Sequence, residues 1–179
     1  MADHHKNTAT EIIYTPFLLL LVGIPGSGKS TFAKALQDGK PDRYVRINQD
    51  QLGSRMACLD LCRRTLAHDN KTAVIDRCNF DMNQRESFLN IAHELGVSVE
   101  CIFFDFDEEV CIARCRERQN HETVSPDMAA KVVRKMKSLL DIHDVTDLKH
   151  EFRFQRVCCI DDLQMFDEIL HEYVGHFYA

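Results

Sequence analysis

The stretch Gly23-Ile24-Pro25-Gly26-Ser27-Gly28-Lys29-Ser30, followed by Thr31, constrains this chain more than any other. Its G-x-x-x-x-G-K-S pattern stands between an apolar run, Phe17 to Val22, and a segment from Thr31 to Leu36 able to open a helix. Strand, glycine-rich turn and helix in that order make a phosphate-binding loop; the alternative is a bare strand-to-helix turn. The glycines let the backbone fold tightly with its N–H groups pointing inward, and the helix N-terminus adds partial positive charge where phosphates sit. In such a loop Gly23, Pro25, Gly26, Ser27, Gly28, Lys29, Ser30 and Thr31 form the nucleotide cradle. Lys29 then neutralises the β/γ-phosphates and the Ser30 hydroxyl holds Mg²⁺.

The 179 residues fit one domain with a sizeable core, expected over residues 14–179 behind a flexible tail, 1–13. No stretch approaches the ~20 apolar residues of a membrane span, and Met1 to Thr10 has neither a signal-peptide nor a transit-peptide pattern. The expected location is cytoplasmic or nuclear, with no membrane partner. Eight cysteines in a nucleotide-using protein of that location are expected to be reduced. Cys58 and Cys62, like Cys111 and Cys115, are spaced to share a helix face, so core packing competes with a four-thiolate zinc site. His68, His93, His121 and His143 have no ligand-like spacing. A net charge of −6 argues against non-specific coating of nucleic acid. It leaves room for local tracks such as Arg55/Arg63/Arg64, Arg114/Arg116/Arg118 and Lys131/Arg134/Lys135/Lys137, runs that are also ordinary solvated helix faces.

Along the chain, strands are expected at Tyr44–Asn48, Thr72–Asp76, Val97–Phe106 and Phe154–Ile160, after the one before the loop. Helices are expected from Leu52 to His68, from the Asp81 cap to Leu95, from Glu108 to about Arg118, from Pro126 to Leu140 and from Asp162 to about His176. This alternation predicts an α/β fold of the P-loop NTPase kinase type: a mostly parallel sheet of about five strands flanked by helices, with a mobile lid near 114–125. Ligands of such sheets bind at the C-terminal strand edge, where Gly23 to Ser30, Asp50, Asp76 to Asn79 and Arg114 to Arg118 converge.

Asp50, just past the second strand, is placed to take the proton of an attacking hydroxyl in line with the γ-phosphate; it is equally placed to cap a helix. Asp76 is placed to support Mg²⁺ or its waters, or else to serve as a turn residue. Asn79 and Arg85 would hold either the acceptor or the loop. Arg114 and Arg118, four apart on one helical face, suit a lid that stabilises charge on the transferring phosphoryl group. Arg116 points elsewhere and reads as exposed.

From about Leu21 to Leu140 the chain resembles the kinase domain of the eukaryotic polynucleotide kinase/phosphatase family, itself similar to the phage polynucleotide kinases. The resemblance is carried by Gly23 to Thr31, by Asn48-Gln49-Asp50-Gln51-Leu52-Gly53-Ser54, by Ile75-Asp76-Arg77-Cys78-Asn79 with Arg85, and by Ala113-Arg114 with Arg118, in that order. It implies ATP and Mg²⁺ at Lys29 and Ser30, Asp50 as general base for a 5′-hydroxyl, and Arg118 as lid arginine. Acceptor contacts would come from Asn48, Gln49, Arg55, Asn79 and Arg85, and the partner would be a 5′-hydroxyl end of RNA or DNA. Gln49 stands where the family usually has arginine, and the part beyond Leu140 departs from the pattern. The chain is thus expected to be a stand-alone kinase or one domain of a larger end-healing protein. A small-molecule P-loop kinase and a non-catalytic nucleotide-binding module are the competing readings.

Overall fold

Leu18 to Val22 are fully buried because the strand they form is central in its sheet and covered by helices on both faces. The computed structural model describes residues 14–117, 125–142, 146 and 154–175. The expected tail 1–13, the lid residues 118–124 with Arg118 and His121, and His143 lie outside these residues. Five strands, β1 (Leu18–Gly23), β2 (Tyr44–Asn48), β3 (Thr72–Asp76), β4 (Val99–Phe104) and β5 (Arg156–Ile160), form one sheet. Their order is β2-β3-β1-β4-β5 and every pairing is parallel. In register, Asn48 lies beside Asp76 and Gly23 beside Phe104. The polar strand ends therefore meet along one edge.

Alternation along β1 sends its side chains into two cores. Leu19 and Leu21 pack with Phe32, Ile112, Val133 and Tyr173 from α1 (Lys29–Gly39), α5 (Glu108–Glu117), α6 (Ala129–Leu139) and α7 (Leu163–Gly175). Leu18, Leu20 and Val22 pack with Cys58, Cys62, Phe88 and Leu89 from α3 (Arg55–Ala67) and α4 (Met82–Leu95). The two cysteine pairs consequently belong to different cores, on opposite faces of the sheet. Burial pushes the Cys62 thiol up to about 12 and the Cys111 thiol up to about 11, as for packing residues rather than thiolates. Among the described residues, no helix is long and apolar enough to cross a membrane.

Two expectations from the sequence need correction. The helix expected from Leu52 to His68 is two helices, because Gly53 adopts a left-handed φ of 75° and closes α2 (Gln49–Leu52). Ser54 then caps α3 by accepting a hydrogen bond from the Ala57 N–H at 3.1 Å. The fourth strand begins at Val99 rather than Val97, since the Val97 N–H is taken by the Ala92 carbonyl at the end of α4, past left-handed Gly96.

Arg85, only 1% exposed, fastens α4 to the end of α6. Its guanidinium donates to the Asn79 carbonyl at 3.0 Å and to both Asp141 oxygens at 2.8 and 3.2 Å, while Asp141 also accepts from the Met82 N–H at 2.8 Å. Asp141→Ala removes the carboxylate that faces a buried cation and the acceptor of the Met82 N–H, so urea unfolding is expected to show a loss of about 1–3 kcal/mol.

Candidate active site

The loop between β1 and α1 is built on three left-handed or positive-φ glycines, Gly23 (147°), Gly26 (86°) and Gly28 (100°). At Gly26 the demand is steric as well. A Cβ there would lie 2.3 Å from the Cys111 carbonyl oxygen, so the loop packs directly on the backbone of α5. Lys29 is buried and arches back over the loop, donating to the Ile24 carbonyl at 2.7 Å and the Ser27 hydroxyl at 3.2 Å. Its ammonium, with three donors, is held where incoming phosphate oxygens would replace these partners.

Behind the loop, Asp76 collects the neighbouring strand ends. Its carboxylate accepts from the Ser30 hydroxyl at 3.0 Å, from Arg46 Nε at 2.7 Å and from Asn48 Nδ2 at 3.0 Å. The side chain is 1% exposed, and Arg46 Nη2 completes an ion pair at 2.6 Å. Asn48 also caps α2 through its Oδ1, which accepts from the Gln51 N–H at 3.1 Å. Asp50 is thereby released from capping: it sits exposed in the first turn of α2 and lines the cleft. Asn79, fully buried at a φ of 48°, donates to the Leu21 carbonyl at 2.7 Å and the Arg77 carbonyl at 3.3 Å. It ties the end of β3 to the strand that enters the loop.

The loop separates two cavities. One, of about 320 Å³, is bordered by Lys29, Ser30, Asn48, Gln49, Asp50 and Asp76, with Phe80, Val132 and Met136 as an apolar wall. The other, of about 510 Å³, is bordered by Gly26, Ser27, Gly28, Thr31, Arg114 and Phe166. Arg114 is half-buried with its guanidinium carbon 4.4 Å from the centre of the Phe106 ring, a cation–π contact that holds it in that wall. Arg116 is exposed.

Of the residues expected to bind the acceptor, Asn48 and Gln49 border the first cavity and the other three do other work. Asn79 and Arg85 are buried fasteners, as above. Arg55 bridges α3 to α4, donating to the Asn83 carbonyl at 3.0 Å and to the Ser87 hydroxyl at 2.5 Å. Two residues to which sequence reasoning gave no role belong to the site. Arg46 neutralises Asp76, and its only signal was a charged residue in the middle of an alternating strand. Arg77 borders the first cavity, signalled by its place directly after the acidic strand end.

Because the Gly26 Cβ position is occupied by backbone of α5 rather than by a movable side chain, Gly26→Ala must displace the loop. The left-handed strain alone is about 1–2 kcal/mol. The expected result is a lower melting temperature and weaker nucleotide binding by calorimetry, with an unchanged far-ultraviolet dichroism spectrum.

Comparison with known proteins agrees with this geometry. Residues 18–142 match the family described as an AAA domain. The chain is 34% identical over 125 residues to the Arabidopsis thaliana protein named transcription factor bHLH140, covering 66% of this chain and 14% of that one. It is 34% identical over 95 residues to the bifunctional polynucleotide phosphatase/kinase of Schizosaccharomyces pombe, covering 52% and 22% respectively. The chain thus spans less than a quarter of the length of these relatives. Among solved structures, a fungal RNA kinase superposes with a TM-score of 0.68 at 15% identity, over 89% of this chain and 43% of that one. A gluconokinase from Sinorhizobium meliloti superposes with a TM-score of 0.60 at 17% identity, over 92% and 93%. With a matched family spanning residues 18–142, a parallel sheet and a complete phosphate loop, this chain belongs to the AAA domain family.

Proposed function

We propose that this chain is an ATP-dependent polynucleotide 5′-hydroxyl kinase acting in nucleic-acid end healing, repair or RNA processing. The observation that carries the reading is the meeting of Asp50 with Lys29 and Ser30 around one cleft, on the opposite side of the loop from the cavity bordered by Arg114. The ATP base and ribose would occupy the Arg114 side, the phosphates would thread the loop, and the acceptor hydroxyl would enter beside Asp50. The named activity of the fission-yeast relative supports this choice of acceptor.

Lys29 would exchange its contacts with Ile24 and Ser27 for the β/γ-phosphate oxygens and so stabilise charge there as the bond to the leaving oxygen loosens. Asp50, exposed and free of capping, would orient the 5′-hydroxyl and accept its proton as it attacks the γ-phosphorus in line. Arg118, which follows Glu117 in the sequence, would add a guanidinium to the transferring group. The residues also fit Mg²⁺: the Ser30 hydroxyl is held 3.0 Å from Asp76, a hard-oxygen pair suited to an ion that draws its other ligands from phosphates and water. When bound, the ion supplies charge neutralisation on the β/γ oxygens. Since Arg46 and Asn48 occupy the second Asp76 oxygen, Asp76 would act by orienting Ser30 and the ion's waters.

A small-molecule kinase is the second reading. The gluconokinase likeness, over nearly the whole of both chains, favours it. Transfer of labelled γ-phosphate to 5′-hydroxyl oligonucleotides separates the two. On the polynucleotide reading, wild type labels RNA or DNA, Asp50→Asn labels neither while binding ATP normally, and Lys29→Ala loses both transfer and ATP affinity. An Arg118→Ala variant should turn over roughly 10³-fold more slowly. Labelling by Asp50→Asn at the wild-type rate would remove Asp50 from the mechanism, and ATP turnover confined to small acceptors would remove the polynucleotide.

A further inference from the structure

Arg46 occupies the carboxylate that a bare cation at this sheet edge would otherwise seek. It lies on β2 two residues before Asn48, the register partner of Asp76, and reaches along the strand to that acid. Its Nε donates to Asp76 Oδ2 at 2.7 Å and its Nη2 stands 2.6 Å from the same oxygen, to which Asn48 Nδ2 also donates at 3.0 Å. The other oxygen, Oδ1, accepts from the Ser30 hydroxyl at 3.0 Å. Little solvent screens the pair, since the Arg46 side chain is 14% exposed and that of Asp76 1%. The Arg46 backbone is fixed too, its N–H donating to Gln37 Oε1 of α1 at 2.8 Å.

A divalent ion is drawn to a carboxylate by its charge, and a carboxylate that already holds a guanidinium presents little net charge. The neighbouring groups do not restore it. Ser30 borders two spaces, the Asp50 cavity and an open depression of about 430 Å³ that it shares with Arg46, Lys34 and Asp38. Together their walls set four cations, Lys29, Lys34, Arg46 and Arg77, against three carboxylates, Asp38, Asp50 and Asp76. That balance opposes a bare cation and welcomes a polyphosphate, which reverses the local sign and carries its own counter-ion.

We propose that Arg46 is a positioning residue that closes the metal position to a bare divalent cation, so that the ion enters only together with a nucleotide's phosphates. The assignment rests on the Mg²⁺ reading of Ser30 and Asp76. Arg46 acts through Asp76: it cancels the charge of the carboxylate and, by holding Oδ2, fixes the direction of the Ser30 hydroxyl that Oδ1 accepts. A structural ion pair would do the second of these and not the first.

The test is Mn²⁺ binding to the full chain, read by electron paramagnetic resonance with and without a non-hydrolysable ATP analogue. Wild type is compared with Arg46→Gln, Arg46→Lys and the Arg46→Gln, Asp76→Asn double variant. Wild type should hold Mn²⁺ tightly only when the analogue is present. Arg46→Gln should bind nucleotide-free Mn²⁺ roughly 10- to 100-fold more tightly than wild type, the range over which outer-shell groups move metal affinity. Arg46→Lys keeps the charge and should stay closed, and the double variant should lose the gain. Arg46→Gln leaves a buried carboxylate uncompensated, so it should melt below wild type, with Mn²⁺ raising its melting temperature more than that of wild type or the double variant. Tight nucleotide-free Mn²⁺ in wild type, no gain in Arg46→Gln, or a lowered melting temperature that Mn²⁺ does not restore would each overturn the proposal. Absence of Mn²⁺ binding in wild type with the analogue would reject the Mg²⁺ reading and the proposal with it. None of these readouts uses an acceptor, so failure of transfer to 5′-hydroxyl oligonucleotides would reject the polynucleotide reading alone.

Discussion

The carboxylate of Asp76 is the interaction on which the rest of the site depends. It is removed from water at the end of β3, and a buried charge is tolerated only when it is paired and hydrogen-bonded. Arg46 and Asn48 from β2 and Ser30 from α1 meet that requirement together. Three segments far apart in the chain are thereby fixed to one another at the sheet edge. The Ser30 hydroxyl is aimed by the same contact, and Asn48, held by Asp76, sets the start of α2 and with it the position of Asp50.

Close approach of backbone to backbone is the second constraint. Gly26 lies against the carbonyl of Cys111, and Gly23 against that of Phe104, so the loop is wedged between β4 and α5 with no room for a side chain. This wedge divides the space above the sheet into two cavities, one bordered by Asp50 and one by Arg114. Phosphoryl transfer needs such a division, because donor and acceptor must approach the same phosphorus from opposite sides.

Charge is distributed accordingly. The chain carries a net charge of −6, and several of its basic side chains are matched by acids on neighbouring elements: Arg134 by Glu108 and Glu109, Arg63 by Glu94 and Lys137 by Asp105. These were the residues whose sequence clustering suggested a basic track. What faces the cavities is narrower: Lys29 and Arg77 on one side and Arg114 on the other. Such a surface does not favour non-specific coating of a polyanion.

The sequence by itself determined the loop, the parallel α/β architecture and the edge at which the polar groups gather. Glycine torsions, strand and helix periodicities and caps such as Asp81 act over a few residues, so their pattern survives in the linear order. Where a local signal was overlooked, as with Gly53 between two helices, the expected boundary was wrong for a local reason. Only the tertiary structure decided which charges are spent and which are left. That Arg46 is consumed by Asp76, while Arg77 keeps an unpaired nitrogen beside Gln49, follows from strand order and register, and that Arg85 is consumed by Asp141 follows from the packing of α4 beside the end of α6. Each of those pairings joins residues dozens of positions apart. No spacing rule along the chain encodes them, because a guanidinium's partner is set by which element lies next to it.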